Sequence, residues 1–130
     1  MPRITAPSEF SVTEKRSRFL ALAAPAATLD EAKRVVRKRS TTFRKARHHC
    51  WACRVRDENG RLVEQARDDG EVGRPGMKLL ELLRSNDLEG VIVVDRFFGG
   101  IKLGPAGVGR AFRAAGEGAL GRLDDRVGRG

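Results

Sequence analysis

Three stretches of this chain gather residue types that could do chemistry. The first is Arg96-Phe97-Phe98-Gly99-Gly100-Ile101-Lys102-Leu103-Gly104-Pro105, continued by Arg110-Ala111-Phe112. A glycine-rich connection lets the backbone approach another molecule, and a helix start offers unpaired N–H groups at the positive end of its dipole. Lys102 adds a full charge. These features predict an anion or phosphate-backbone site made by Arg96, Gly99, Gly100, Lys102, Gly104 and Arg110. The plainer alternative is that the glycines serve a tight turn and close helix–sheet packing. The spacing is neither G-x-x-x-x-G-K-[ST] nor a clean G-x-G-x-x-G after a strand, so it does not support a nucleotide pocket.

The second stretch is His48-His49-Cys50-Trp51-Ala52-Cys53-Arg54-Val55-Arg56. Paired histidines and a Cys-x-x-Cys invite a zinc site. However, residues i and i+3 of a strand point to opposite faces, and the alternation here sets Trp51, Cys53 and Val55 against Cys50, Ala52, Arg54 and Arg56. A Cys–His nucleophile pair would use His48 and Cys50, which share a face, but no orienting third group is evident. Burial of a cysteine as a small apolar side chain is the favoured reading. The third stretch, Asp68-Asp69-Gly70-Glu71, puts three carboxylates in four residues. They could hold Mg²⁺ or pair as acid and base, or they could cap the following helix and pair with arginines. No catalytic set, metal site or cofactor is complete in the sequence.

The elements that must position these residues follow from periodicity. Phe10 to Glu14 and Arg18 to Ala23 read as two strands around the charged turn Lys15-Arg16-Ser17. Thr28-Leu29-Asp30-Glu31 is a capping box that opens a helix with Leu29, Ala32, Val35 and Val36 on one face. The strand from residue 48 leads through Asn59-Gly60, a strong hairpin signal, to a partner strand from Arg61 to Ala66. A helix over about residues 75 to 85 buries Met77 and several leucines, and Asn86 suits its end. The β-branched run Val91-Ile92-Val93-Val94 reads as a buried strand reaching Phe98. A last helix, about 105 to 120, carries glycines at 107, 109, 116 and 118. Residues 1 to 8 and 121 to 130 read as loose ends.

Charge patterning adds a second candidate surface. The chain of 130 residues holds 26 Lys and Arg against 17 acids, a net charge of +9 with a pI near 10.7. Such a balance points to a polyanionic partner, nucleic acid first and an anionic membrane surface second. From Lys33 to Arg47 there are eight basic residues and no acid, so no carboxylate cancels the field. Arg44, Lys45 and Arg47 form a second predicted anion-binding patch. No apolar run has signal-peptide or transmembrane length, and two cysteines suit a reducing compartment, so a cytoplasmic protein acting away from membranes is expected.

The same residues carry a family resemblance. Arg96 to Gly104 with Arg110-Ala111-Phe112 resembles the R-Y-F-G-G-x-K-L-G…R-A-Y signature of the YigZ/IMPACT family. The strand at 48 is similar to that family's A-x-H-x-C-x-A-Y-R, with Cys53 where a tyrosine is usual. Arg67 to Gly76 resembles its D-D-G-E-P-S-G-T-A-G loop through Asp68, Asp69, Gly70 and Glu71. There one residue is missing, Val72 replaces the proline, and the Ser and Thr hydroxyls are gone. Pattern alone gives an α+β class with helices on one face of a sheet. The resemblance implies a ribosomal-protein-S5-domain-2-like fold with a mixed sheet. It further implies an Impact N-terminal-like domain over 1–120 and a tail over 121–130, without the second, ferredoxin-like domain of bacterial members.

Charge and resemblance together predict a non-enzymatic module that binds RNA or ribonucleoprotein in connection with translation, its partners being RNA or ribosome-associated factors. A protein-docking regulator of translation or stress signalling is the alternative. A metal-assisted phosphate hydrolase using Asp68, Asp69, Glu71 and Lys102 stands third.

Overall fold

A computed structural model describes residues 2–123 and 127–128. Strands β1 (Arg3–Ile4), β2 (Ser8–Glu14) and β3 (Ser17–Ala24) precede helix α1 (Leu29–Thr42). The hairpin β4 (His48–Arg56) and β5 (Leu62–Arg67) follows, then helix α2 (Pro75–Ser85) and strand β6 (Gly90–Phe97). Helix α3 (Gly104–Gly121) and strand β7 (Val127–Gly128) complete the order. The local signals act as expected: the Thr28 hydroxyl accepts from the Glu31 N–H while Glu31 accepts from the Thr28 N–H, closing the capping box. Gly60 takes a positive φ of 77° in the β4–β5 turn, as a tight hairpin asks of its glycine.

The main sheet runs β2-β3-β6-β4-β5, and every neighbouring pair in it is antiparallel. β6 enters last in the sequence but lies in the middle, and its Val91-Ile92-Val93-Val94 run is fully buried. The α+β class stands, but the arrangement departs from the expected mixed sheet with helices on one face. Helices α2 and α3 pack with Phe19, Ala21, Cys50, Ala52, Ile92 and Val94. Helix α1 packs on the other face, against Trp51, Cys53, Val55, Val91 and Val93. The reason lies in β4 and β6, which are apolar at odd and even positions alike, so each face of the sheet must be covered.

Both ends are tied down more than their composition suggests. Ile4 is buried, its N–H donates to the Glu89 carbonyl at 2.9 Å, and the Glu89 N–H donates to the Pro2 carbonyl. β1 pairs with β7, and Leu123 is buried in the α2–α3 core, so the packed part extends past residue 120. The expected tail otherwise falls on residues 124–126 and 129–130, outside the described residues. The small residues of α3 are explained by contact: a Cβ on Gly116 would meet Leu79 and Leu82 of α2, and one on Gly118 would meet the Phe10 ring.

One buried polar group fastens α1 to the sheet. Asp95, fully buried on β6, accepts from Arg39 of α1 through Nε at 2.8 Å and lies 2.7 Å from its Nη2. Its other oxygen is 2.6 Å from His49 Nδ1, so that nitrogen carries the donated proton. Removing one partner of a buried ion pair leaves the other charge uncompensated, which costs about 3–5 kcal/mol. Asp95→Ala is therefore expected to destabilise the protein by that order in urea unfolding, and a change below about 1 kcal/mol would contradict this role.

Candidate functional site

The three sequence motifs meet at one end of the sheet. The register places Arg96 opposite His48, Phe97 opposite Arg18 and Trp51 opposite Arg67. The last residues of β6 and β5, the first of β4, and the β2–β3 turn therefore share one edge of the molecule. The connections that leave this end are the α1–β4 loop, the β5–α2 loop with Asp68 to Arg74, and the β6–α3 loop from Phe98 to Leu103. Two glycines lock them together. The Gly99 N–H donates to Ser17 Oγ at 3.2 Å, and a Cβ at Gly99 would strike the Arg16 backbone. Gly73, at φ 82°, lies against the Pro105 carbonyl and the Gly109 amide at the start of α3, where a side chain has no room.

The carboxylates of the β5–α2 loop are all engaged within the fold, Glu71 as a buried side chain and Asp69 as an exposed one. Asp68 Oδ1 accepts from the Gly76 N–H at 2.8 Å, placing a negative group on the start of α2. Asp69 accepts from the His49 N–H through Oδ2 and from His48 Nδ1 through its carbonyl, each at 2.8 Å. Both Glu71 oxygens accept from Arg96 Nη1 at 2.9 Å, and His48 Nε2 lies 3.5 Å away. The Glu71 and Arg96 side chains are only 3% and 7% exposed. Of the alternatives open for this acidic loop, Asp68 caps α2 and Glu71 pairs with an arginine, while Asp69 takes the His49 amide. Among the described residues no group of three or more His, Cys, Asp and Glu is placed to hold a metal ion.

Arg96 is accordingly not a free phosphate ligand, as the sequence suggests it to be. Its guanidinium is buried against Glu71 and the rings of Phe19 and Phe98, and Nε is buried without a hydrogen-bond partner among the described residues. The cysteines sit on opposite faces of β4, as alternation requires, and do not converge. Cys50 Sγ donates to the Asp68 carbonyl at 3.1 Å. Burial first, then the Glu71, Asp69, Asp68 and Asp95 carboxylates, push the Cys50 thiol far above its ordinary range. Burial also raises Cys53.

Lys102 and Gly100 are exposed in the loop that leads into α3, Gly104 is exposed at the first position of that helix, and Arg110 is exposed nearly two turns along it. Between the starts of α2 and α3 lies a groove of about 480 Å³ lined by Gly73, Arg74, Lys78, Pro105, Ala106, Arg110 and Arg113. Its lining has four cations and no carboxylate; Arg113 is paired with Glu117 one turn along, both half-exposed. Arg44, Lys45 and Arg47 are exposed on the α1–β4 loop, and the Arg47 guanidinium lies 4.6 Å from the Phe98 ring centre. The two predicted patches thus touch at Phe98. Arg74 and Lys78 were not singled out by sequence reasoning. The available signal was their position: cations at a helix start oppose the helix dipole and are unfavourable there unless an anion is near.

Comparison with known proteins then gives a consistent picture. Residues 15–120 match the family described as Impact N-terminal domain. The chain is 39% identical over 109 residues to an IMPACT family member of Thermus thermophilus, covering 83% of this chain and 57% of that protein. It is 37% identical over 106 residues to the IMPACT family member YvyE of Bacillus subtilis, covering 80% and 48%. It is 35% identical over 98 residues to Protein IMPACT of Rattus norvegicus, covering 72% and 31%. The chain thus spans about half the length or less of these relatives. The crystal structure of a hypothetical protein superposes with a TM-score of 0.86 at 30% identity, over 93% of this chain and 60% of that one. The two-domain translational regulator Yih1 superposes with a TM-score of 0.53 at 26% identity, over 92% and 45%.

The thiols provide a direct check on the packing beneath the site. A thiol whose folded-state pKa lies above its unfolded value near 8.5 favours folding below that pH and loses the contribution as pH rises. Both cysteines are expected to resist alkylation at pH 7.5 until the protein unfolds, and stability should fall above about pH 8.5. Rapid native-state labelling of Cys50, followed by mass spectrometry, would contradict this arrangement.

Proposed function

The chain belongs to the Impact N-terminal domain family, and from that premise we propose that it is a non-enzymatic module that binds RNA or ribonucleoprotein in the regulation of translation. The observation that carries this is the carboxylate-free groove between α2 and α3, with Arg74, Lys78 and Arg110 on its walls, and Lys102 exposed in the loop that leads into α3. Among the described residues these four cations have no ion-pair partner. A cation already neutralised by a carboxylate releases nothing when a phosphate arrives. An unpaired one displaces the phosphate's counterion, and that release drives association.

Likeness to a protein described as a translational regulator supports the regulatory half of the proposal. The engagement of Asp68, Asp69 and Glu71 in hydrogen bonds and an ion pair within the fold supports a binding role. Two free cysteines suit a cytoplasmic setting. Among the described residues no helix is long and apolar enough to cross a membrane.

A protein-docking role is the second reading, favoured by Val72, Phe98 and Ile101, which are apolar and exposed in the two signature loops. A partner that stays bound after nuclease treatment would point that way. For the leading reading, short unstructured RNAs should bind with an affinity that falls steeply with salt in gel-shift titrations. Each lost phosphate contact lowers the slope of log K against log salt by about 0.7 for a single strand. Lys102→Ala with Arg110→Ala should therefore reduce the slope by roughly 1.4 while leaving the melting temperature unchanged. Salt-independent affinity, or a double variant that binds like the parent, would refute it.

A further inference from the structure

Phosphate binding leaves one feature of this surface without a task. Phe98 is the most exposed aromatic side chain among the described residues, at 38%, whereas Trp51, Phe19 and Phe112 are buried. It is held firmly, because the next residue, Gly99, is bonded to Ser17 and pressed onto the Arg16 backbone. The guanidinium of Arg47, itself exposed, lies over the Phe98 ring at 4.6 Å, and that of buried Arg96 lies at 5.6 Å. A planar cation on an exposed ring is therefore presented by the same two loops that carry Lys102, Arg44 and Lys45, and none of these pairs with a carboxylate among the described residues.

Aromatic rings and arginine guanidinium planes are the two side-chain surfaces on which unpaired bases stack. Bases inside a duplex are already stacked on one another, and the deep groove of A-form RNA keeps side chains from their edges. We propose that Phe98 and Arg47 form a stacking platform for an unpaired base, so that the RNA taken by this surface is single-stranded. This rests on the phosphate-binding reading above and narrows it. The strand would lay one base on the platform and run its phosphates past Lys102 toward the α2–α3 groove. Pro105 is seven residue steps along the chain from Phe98, so platform and groove lie within about 25 Å of one another. A single platform stacks any base, so little sequence preference follows.

The experiment is fluorescence anisotropy at fixed salt with one short labelled RNA of unstructured sequence, offered alone and annealed to its complement. The parent protein is compared with Phe98→Leu, which keeps an apolar side chain, and Arg47→Lys, which keeps the charge but loses the plane. Circular dichroism and melting temperature establish that both variants are folded. The parent should prefer the single strand by about tenfold or more, and each variant should lose about five- to tenfold of single-strand affinity with duplex affinity unchanged. Equal binding of duplex and single strand, or variants that bind the single strand as the parent does, would overturn the platform and leave phosphate binding intact. Failure of the parent to bind either RNA would overturn both.

Discussion

The Glu71–Arg96 ion pair is the contact on which the working end of this molecule depends. Both side chains are almost fully buried, so each has lost its water and must be satisfied by the other. Such pairs contribute little net stability, because the Coulombic gain is offset by desolvation, but breaking one leaves a bare charge inside the protein. Their value here is positional. Glu71 belongs to the β5–α2 loop and Arg96 to the central strand, and His48 of β4 closes on the same carboxylate. Three segments far apart in sequence are thereby pinned to one point, and the loop that follows β6 is set on top of them.

The pairing has a consequence for charge. Asp68 caps α2, Asp69 holds the start of β4, Glu71 is used by Arg96, and Asp95 is used by Arg39 and His49. These four acids are engaged within the fold, Glu71 and Asp95 with almost fully buried side chains, whereas Asp69 stays exposed and Glu14 at the end of β2 is exposed in a pocket it shares with Arg110. The cations Lys102, Arg110, Arg74, Arg44, Lys45 and Arg47 are exposed and Lys78 is half-buried, and none of them forms an ion pair among the described residues. A net charge of +9 spread evenly would make a weakly attractive sphere. Pairing several acids within the fold while leaving bases exposed at one end of a sheet makes a more localised positive field, which is what steers and holds a polyanion.

Much of this was legible in the sequence where the signal is local. The Thr28–Glu31 capping box, the Asn59-Gly60 turn and the leucine pattern of α2 each depend on neighbours within a few residues, and each element formed where expected. The strand alternation that separates Cys50 from Cys53 held for the same reason. What could not be read was set by contacts between distant segments. Arg96 looks like a surface cation in a glycine-rich loop, and only its pairing with a carboxylate 25 residues away makes it internal. The two-sided burial of β4 and β6 puts α1 opposite α2 and α3, and no local pattern states which face a helix will choose. The groove depends on Gly73 meeting Pro105, a contact between two loops, so Arg74 and Lys78 gained their meaning only in three dimensions.

We propose that engagement of its carboxylates within the fold leaves the loop end of the sheet as the RNA-binding surface. Amide chemical-shift mapping of the labelled protein during titration with a short unstructured RNA tests it most directly. Shifts should cluster at Gly73 and Arg74, from Phe98 to Gly104, and around Arg110. The exposed basic face of α1, with Lys33, Arg34, Arg37 and Lys38, should stay unmoved. Shifts confined to α1, or none at RNA concentrations that saturate the gel-shift signal, would contradict it.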